Sequence, residues 1–268
     1  MKMNTLILIF GLTLISHGLL AELNIPPNAS SEEKGVAIAK ATDQRDSGWG
    51  DWSAQATMTL KNRQGQTSQR IMQIQALEQQ EEGDKRLIIF DEPRDVKGTA
   101  FLVFTKKDGN DDQWLYLPAL RRVKRIASKN QSGPFVGSEF AYEDLSSQEV
   151  EKYTHRYLRD ETVSGKDCYV IERIPLDKNS GYTQQIIWLD KEEFRQFKVE
   201  YYDRKSSLLK TFTAKDYRPY GKDFWRADQF EMVNHQTGKS TILDWESYVF
   251  TQGLEDRVFH QNALKKIR

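Results

Sequence analysis

Residues 99–126 read TAFLVFTKKDGNDDQWLYLPALRRVKRI. Two dense apolar runs, 99–106 and 113–117, flank the turn signal Asp108-Gly109-Asn110. Short runs rich in aromatic and branched residues on either side of such a turn predict an antiparallel hairpin. The same punctuation recurs outward in both directions: Asn62 to Gly65, Glu82-Gly83-Asp84, Ser164-Gly165, Asn179 to Gly181, Asp203 to Ser206, Pro219 to Lys222 and Thr237-Gly238. Between these signals the chain shows strand-like runs, giving a meander of about ten or eleven strands. Residues 52–61 show the period most cleanly, with Trp52, Ala54, Ala56, Met58 and Leu60 alternating with polar neighbours. That is the pattern of a half-buried strand. So many short strands joined by hairpin turns predict a mainly β chain, folded as a barrel or a strongly curved antiparallel sheet.

Several strands are apolar on both faces: Leu87-Ile88-Ile89-Phe90, Phe101-Leu102-Val103-Phe104 and Ile186-Ile187-Trp188-Leu189. An antiparallel sheet normally shows water one face, so these runs require cover on both. One cover is the helix predicted at Ser31–Arg45, which Ser30 or Ser31 can cap and whose first turn carries Glu32 and Glu33. The other is protein, a partner or a lipid. After Phe250, the tail carries Leu254 and Val258 at helical spacing, which predicts a short docked cap.

The N-terminus sets an expectation of compartment. Lys2, an apolar run over 6–20 and small Ala21 before a polar, proline-marked stretch read as a cleavable signal peptide over 1–21. The mature chain, 22–268, then forms one domain exported to the periplasm of a Gram-negative bacterium, and no Cys near the cut accepts a lipid. Cys168 is the sole cysteine, so no intrachain disulfide forms, and its alternating apolar neighbours mark it as a buried small side chain. Charge balances at 39 basic and 39 acidic residues, which excludes a general nucleic-acid binder.

Catalytic signatures are scarce. His155, His235 and His260 stand apart in sequence, and no HExxH, GxSxG, P-loop or Rossmann fingerprint occurs, so no cofactor and no metal is expected. The segment from Ser132 to Asp144 is bounded by Gly133-Pro134 and Gly137, making Gly133 and Gly137 candidate hinges of a lid. Its carboxylates Glu139, Glu143 and Asp144 lack an opposed partner in the sequence, which favours salt bridging over acid–base catalysis. Arg121, Arg122, Lys124 and Arg125, followed by Lys129, form the concentrated basic patch. If extended, Arg121, Val123 and Arg125 share one face and Arg122, Lys124 and Ile126 the other. Such a patch suits a solvated strand end, an anionic headgroup or the acidic surface of a membrane partner.

Three blocks in order, EPRDVKGTAFLV (92–103), WLYLPALRRVKRI (114–126) and FVGSEFAYEDL (135–145), resemble the outer-membrane lipoprotein-sorting-like family, relatives of the periplasmic carrier LolA. The resemblance covers most of the mature chain. It implies an unclosed antiparallel half-barrel, with the helix and lid segments covering a concave face whose apolar cavity accepts lipid or the acyl chains of lipoproteins. It also implies a non-enzymatic accessory of an inner-membrane RND-type exporter, with transient membrane contact. Physical chemistry agrees that such a site needs no special polar group, since an acyl chain of about 14 carbons can gross on the order of 10 kcal/mol from burial. The expected lining is Phe101, Val103, Trp114, Tyr116 and Trp188 from the strands, with Phe135, Phe140 and Tyr142 from the loop. The alternative is an interaction or envelope-stress sensing module whose cavity is filled by its own side chains, and a hydrolase comes third.

Overall fold

The computed structural model describes residues 23, 25–221 and 224–267, so the leader reading at 1–21 lies outside the described residues. Helix α1 spans Ser31–Arg45. Ser30 caps it: the Glu33 N–H donates to Ser30 Oγ at 3.1 Å while the Ser30 N–H donates to Glu33 Oε2 at 2.7 Å. This reciprocal box satisfies two of the helix's orphan donors and contributes about 1 kcal/mol. Its buried face is Gly35, Ile38 and Ala39.

Thirteen strands follow: β1 Asp51–Lys61, β2 Thr67–Leu77, β3 Lys85–Glu92, β4 Ala100–Phe104, β5 Asp112–Leu117, β6 Arg122–Ile126, β7 Tyr153–Val163, β8 Lys166–Pro175, β9 Gln184–Asp190, β10 Gln196–Tyr202, β11 Leu208–Tyr220, β12 Phe224–Asn234 and β13 Ser240–Phe250. They form one antiparallel sheet in the order β6-β5-β4-β3-β2-β1-β13-β12-β11-β10-β9-β8-β7. Every neighbour is a chain neighbour except the β1–β13 pair, where Met58 faces Leu243. The ladder never joins β6 to β7, so the sheet stays an open half-barrel whose free edges are the two strands flanking residues 127–152. That segment crosses between the edges as a strap over the concave face.

The strand count exceeds the expected ten or eleven by those same two edge strands. Both are dense in charge, and an edge strand uses charge to discourage pairing with other chains. The apolar periodicity that revealed the other strands is therefore diluted there.

The concave face carries the main core: Ala54, Ala56 and Met58 of β1, Met72 and Ile74 of β2, Phe90 of β3, Phe101 and Val103 of β4, Ile187 of β9 and Met232 of β12, among others. The convex face of β3, β4 and β5 is covered by the C-terminal tail, where Phe259 and Leu264, 1% and 0% exposed, seal Leu87, Ala100, Leu102 and Tyr116. A smaller convex cluster joins Cys168, Val170, Ile186 and Trp188. Lys198 Nζ caps it 4.2 Å from the Trp188 ring centroid. The convex cover of β3 and β4 is thus protein. Burial pushes the Cys168 thiol up, which suits a packed side chain rather than a nucleophile.

Candidate ligand cleft

The strap closes one end of the concave face. Consecutive left-handed residues, Val136 at φ 46° and Gly137 at φ 79°, reverse the chain, and the Phe135 N–H donates to the Phe140 carbonyl at 2.7 Å. Valine is strained there, whereas glycine adopts the conformation freely. Arg70 holds the turn by donating to the Val136 carbonyl. The reversal drives Phe135 into the core against Phe90 and Phe101, with ring centroids 5.7 and 5.3 Å away. Tyr142 packs on Phe101 at 5.4 Å.

The strap carboxylates are anchors. Asp144 pairs with Lys210 Nζ at 2.7 Å, both side chains being about 5% exposed or less, and accepts from the Tyr182 hydroxyl at 2.8 Å. Glu139 accepts from Asn234 Nδ2 at 2.7 Å. Glu143 accepts from the Ser180 hydroxyl at 2.7 Å and the Gly181 N–H at 2.9 Å. Burial foremost, and then the neighbouring Asp144 charge, push the Glu143 carboxyl up to about 7. Of the trio, Asp144 takes the expected salt-bridging role, while Glu139 and Glu143 hold the strap through hydrogen bonds to uncharged groups. Of the candidate hinges, Gly137 occupies the left-handed turn, while at Gly133 an added Cβ would lie 3.1 Å from the Asn130 carbonyl oxygen.

Beyond the strap, a cleft of roughly 400 Å³ opens between α1, residues 146–150 and the sheet. Its walls are aromatic: Trp49, Trp52, Tyr217, Trp225, Phe230, Trp245 and Tyr248. Trp52 and Trp245 meet edge to face at 6.3 Å, and Trp245 stacks on Tyr248 at 5.6 Å. A second chamber of roughly 180 Å³ lies under the strap, lined by Met58, Met72, Ile74, Phe135, Phe140, Phe212 and Met232 among others. Arg86, Gln148, Arg173, Gln196, Phe230 and Trp245 border both spaces, so they form a junction.

The mouth side is polar. Desolvation foremost, then the Asp84 and Asp43 charges, push the Glu149 carboxyl up to about 7, and burial also raises Asp84 and Asp43. His155 lies in the same wall with Nε2 3.0 Å from the Val150 carbonyl, and burial pushes its imidazole down. Among the described residues no cluster of His, Cys, Asp or Glu could hold a metal ion, and no helix is long and apolar enough to cross a membrane.

The residues expected to line a cavity divide three ways. Phe135 and Phe140 border the deeper chamber. Phe101, Val103 and Tyr142 lie in the same concave core, packed behind the lining. Trp114, Tyr116 and Trp188 are corrected: they face the convex side, in the two outer clusters. Strand register explains this, because Trp114 opposes Leu102 while Phe101 opposes Leu115, so the two sets point to opposite faces. The cleft's own tryptophans went unassigned, although Trp52 stood in the cleanest alternating strand. Their signal was the share of tryptophan: four of the chain's six, Trp49, Trp52, Trp225 and Trp245, line this one space.

The basic patch departs from the expected alternation, because Arg121 lies outside the strand. Arg121 turns the chain at φ 48°, Arg122, Lys124 and Arg125 lie exposed along edge strand β6, and Arg125 pairs with Asp112. It sits outside the cleft.

Comparisons with known proteins complete the picture. A family model described as an uncharacterized protein matches residues 82–266. A solved candidate outer membrane lipoprotein-sorting protein domain from Vibrio parahaemolyticus is 56% identical, covering 87% of this chain and 99% of its own, at a TM-score of 0.86. A DUF1329 family protein from Desulfovibrio piger is 29% identical over 88% of this chain and 100% of its own, at 0.83. A LolA superfamily protein from Nitrosomonas europaea, 19% identical over 88% of this chain and 100% of its own, shares the fold at 0.68. No curated protein matches the sequence. Identity at this level, over a shared open half-barrel, shows that the chain belongs to the outer-membrane lipoprotein-sorting-like family, with a LolA-like fold.

Proposed function

We propose that this chain is a periplasmic, non-enzymatic carrier, a single mature domain over 22–268 behind a cleaved leader, that holds lipid or lipoprotein acyl chains in the concave cleft. The observation that carries the reading is the pair of adjacent spaces on the concave face, sharing six lining residues, walled in large part by aromatic and aliphatic side chains and left unfilled by the strap. Their volumes together fall in the range of small-molecule sites. The relative from Vibrio parahaemolyticus, described as a lipoprotein-sorting domain, supports the cargo class. Handing cargo to or from an RND-type exporter in the inner membrane follows as the partner step, with Arg121, Arg122 and Lys124 as the surface offered to an acidic partner or headgroup.

Displacement of a fluorescent acyl probe tests the cargo. Phe230→Asp, at the junction, should weaken binding about tenfold or more by placing a charge in an apolar wall, while Trp114→Ala, on the convex face, should leave it within about twofold. Equal effects, or no binding by the folded wild type, would reject the cleft. The second outcome favours an interaction module, a reading that draws on how much of the concave face Phe135, Phe140 and Leu145 already occupy.

A further inference from the structure

Two hydrogen-bond donors at the junction have no acceptor. Arg86 Nε and Trp245 Nε1 are both shut off from solvent and make no hydrogen bond among the described residues. Orphaned buried donors are rare enough in folded proteins to call for a reason. Both side chains border the outer cleft and the deeper chamber. Arg86 also has no carboxylate partner within ion-pair distance among the described residues. Among the described residues its one hydrogen bond runs from Nη1 to the Leu145 carbonyl at 2.9 Å, and its guanidinium lies 6.0 Å from the Trp52 ring centroid. Asp84, the carboxylate acting on it most strongly, spends its oxygens on the Gln79 N–H at 3.1 Å and the Ser147 hydroxyl at 3.0 Å. The other junction arginine, Arg173, is engaged by Gln185 at 2.6 Å and Gln148 at 3.0 Å. Of the six residues that border both spaces, two are arginines and none is a carboxylate; Asp144, paired with Lys210, lines the chamber, and Asp84 lines the cleft.

We propose that the junction reads the head of an anionic amphiphile: a carboxylate or phosphate accepts from Arg86 Nε and Trp245 Nε1 while its chain enters the apolar chamber under the strap. This rests on the cleft being a lipid site and narrows what it takes. An ionised, acceptor-only head supplies what both donors lack and neutralises a cation that the protein leaves unpaired. A neutral ester supplies a weaker acceptor and no charge.

Titration of the delipidated, exported chain with decanoate, methyl decanoate and decyl phosphate decides it. The wild type should bind both anions about tenfold or more tightly than the ester, the difference a charge-assisted bond provides. Arg86→Met should erase that preference while still binding the ester, and Arg86→Lys should keep part of it. Inorganic phosphate alone should not displace a bound chain; displacement by it would assign the junction to a free oxyanion and overturn the amphiphile. Equal binding of acid and ester by the wild type, or a preference surviving Arg86→Met, would overturn the proposal with the cleft reading intact. Failure of all three amphiphiles would remove both.

Discussion

Glu143 shows how a single carboxyl ties the strap to the loop at 177–183 at a cost that depends on pH. Its proton is held to about 7 in the folded chain against an ordinary value of 4.5, so between these values the folded state binds more protons than the unfolded one. Stability contributed by the protonated form is present in full below pH 4.5 and is lost as pH rises toward 7, on the order of 3 kcal/mol in all. Glu143→Gln keeps an acceptor for Ser180 and Gly181 without the charge. Urea unfolding should give the variant and the wild type similar stability near pH 4, with the variant pulling ahead toward pH 8. Curves that run parallel across this range would contradict the assignment. Glu149, also raised to about 7, adds a slope of the same sign that cancels in the comparison. The Lys210–Asp144 pair beside it is a different case, for its charges compensate each other out of water, and its role is to fix where the strap lies.

At the scale of elements, the helix is positioned by the absence of a side chain. A Cβ on Gly35 would lie 2.6 Å from the backbone nitrogen of Arg156 in β7, so backbone meets backbone where α1 seals the free edge. Gly35→Ala gains helix propensity of about 1 kcal/mol, yet it must lift α1 off β7. Net destabilisation of roughly 1–3 kcal/mol is expected from overpacking. A stability equal to or above wild type in denaturant titration would show that the contact is looser than described. The same helix, with its cap and bounds, was legible in sequence because Ser30 and Glu33 and the turn signals around it are local. The edge strands β6 and β7 were not, since charge replaces apolar alternation where a strand has only one neighbour. Nor was the burial of the strap, because Phe135 reaches the core through a left-handed turn at Val136 that no propensity favours. For the site, sequence gave the doubly apolar strands but not which of their faces is concave. Phe101 and Val103 were placed inside with Trp188, and curvature, a property of the whole sheet, separates them.

Over the whole molecule, the concave cleft is the place proposed for an acyl chain. The distribution of tryptophan makes this directly measurable: Trp49, Trp52, Trp225 and Trp245 line the cleft, whereas Trp114 and Trp188 belong to the convex clusters. A fatty acid brominated along its chain quenches only indoles it touches. Titrated into the delipidated protein, it should quench saturably, and replacing Trp114 and Trp188 with Phe should leave the quenched intensity unchanged while removing unquenched background. Absence of saturable quenching in the folded protein, or quenching that disappears with Trp114 and Trp188, would contradict a cleft-bound chain.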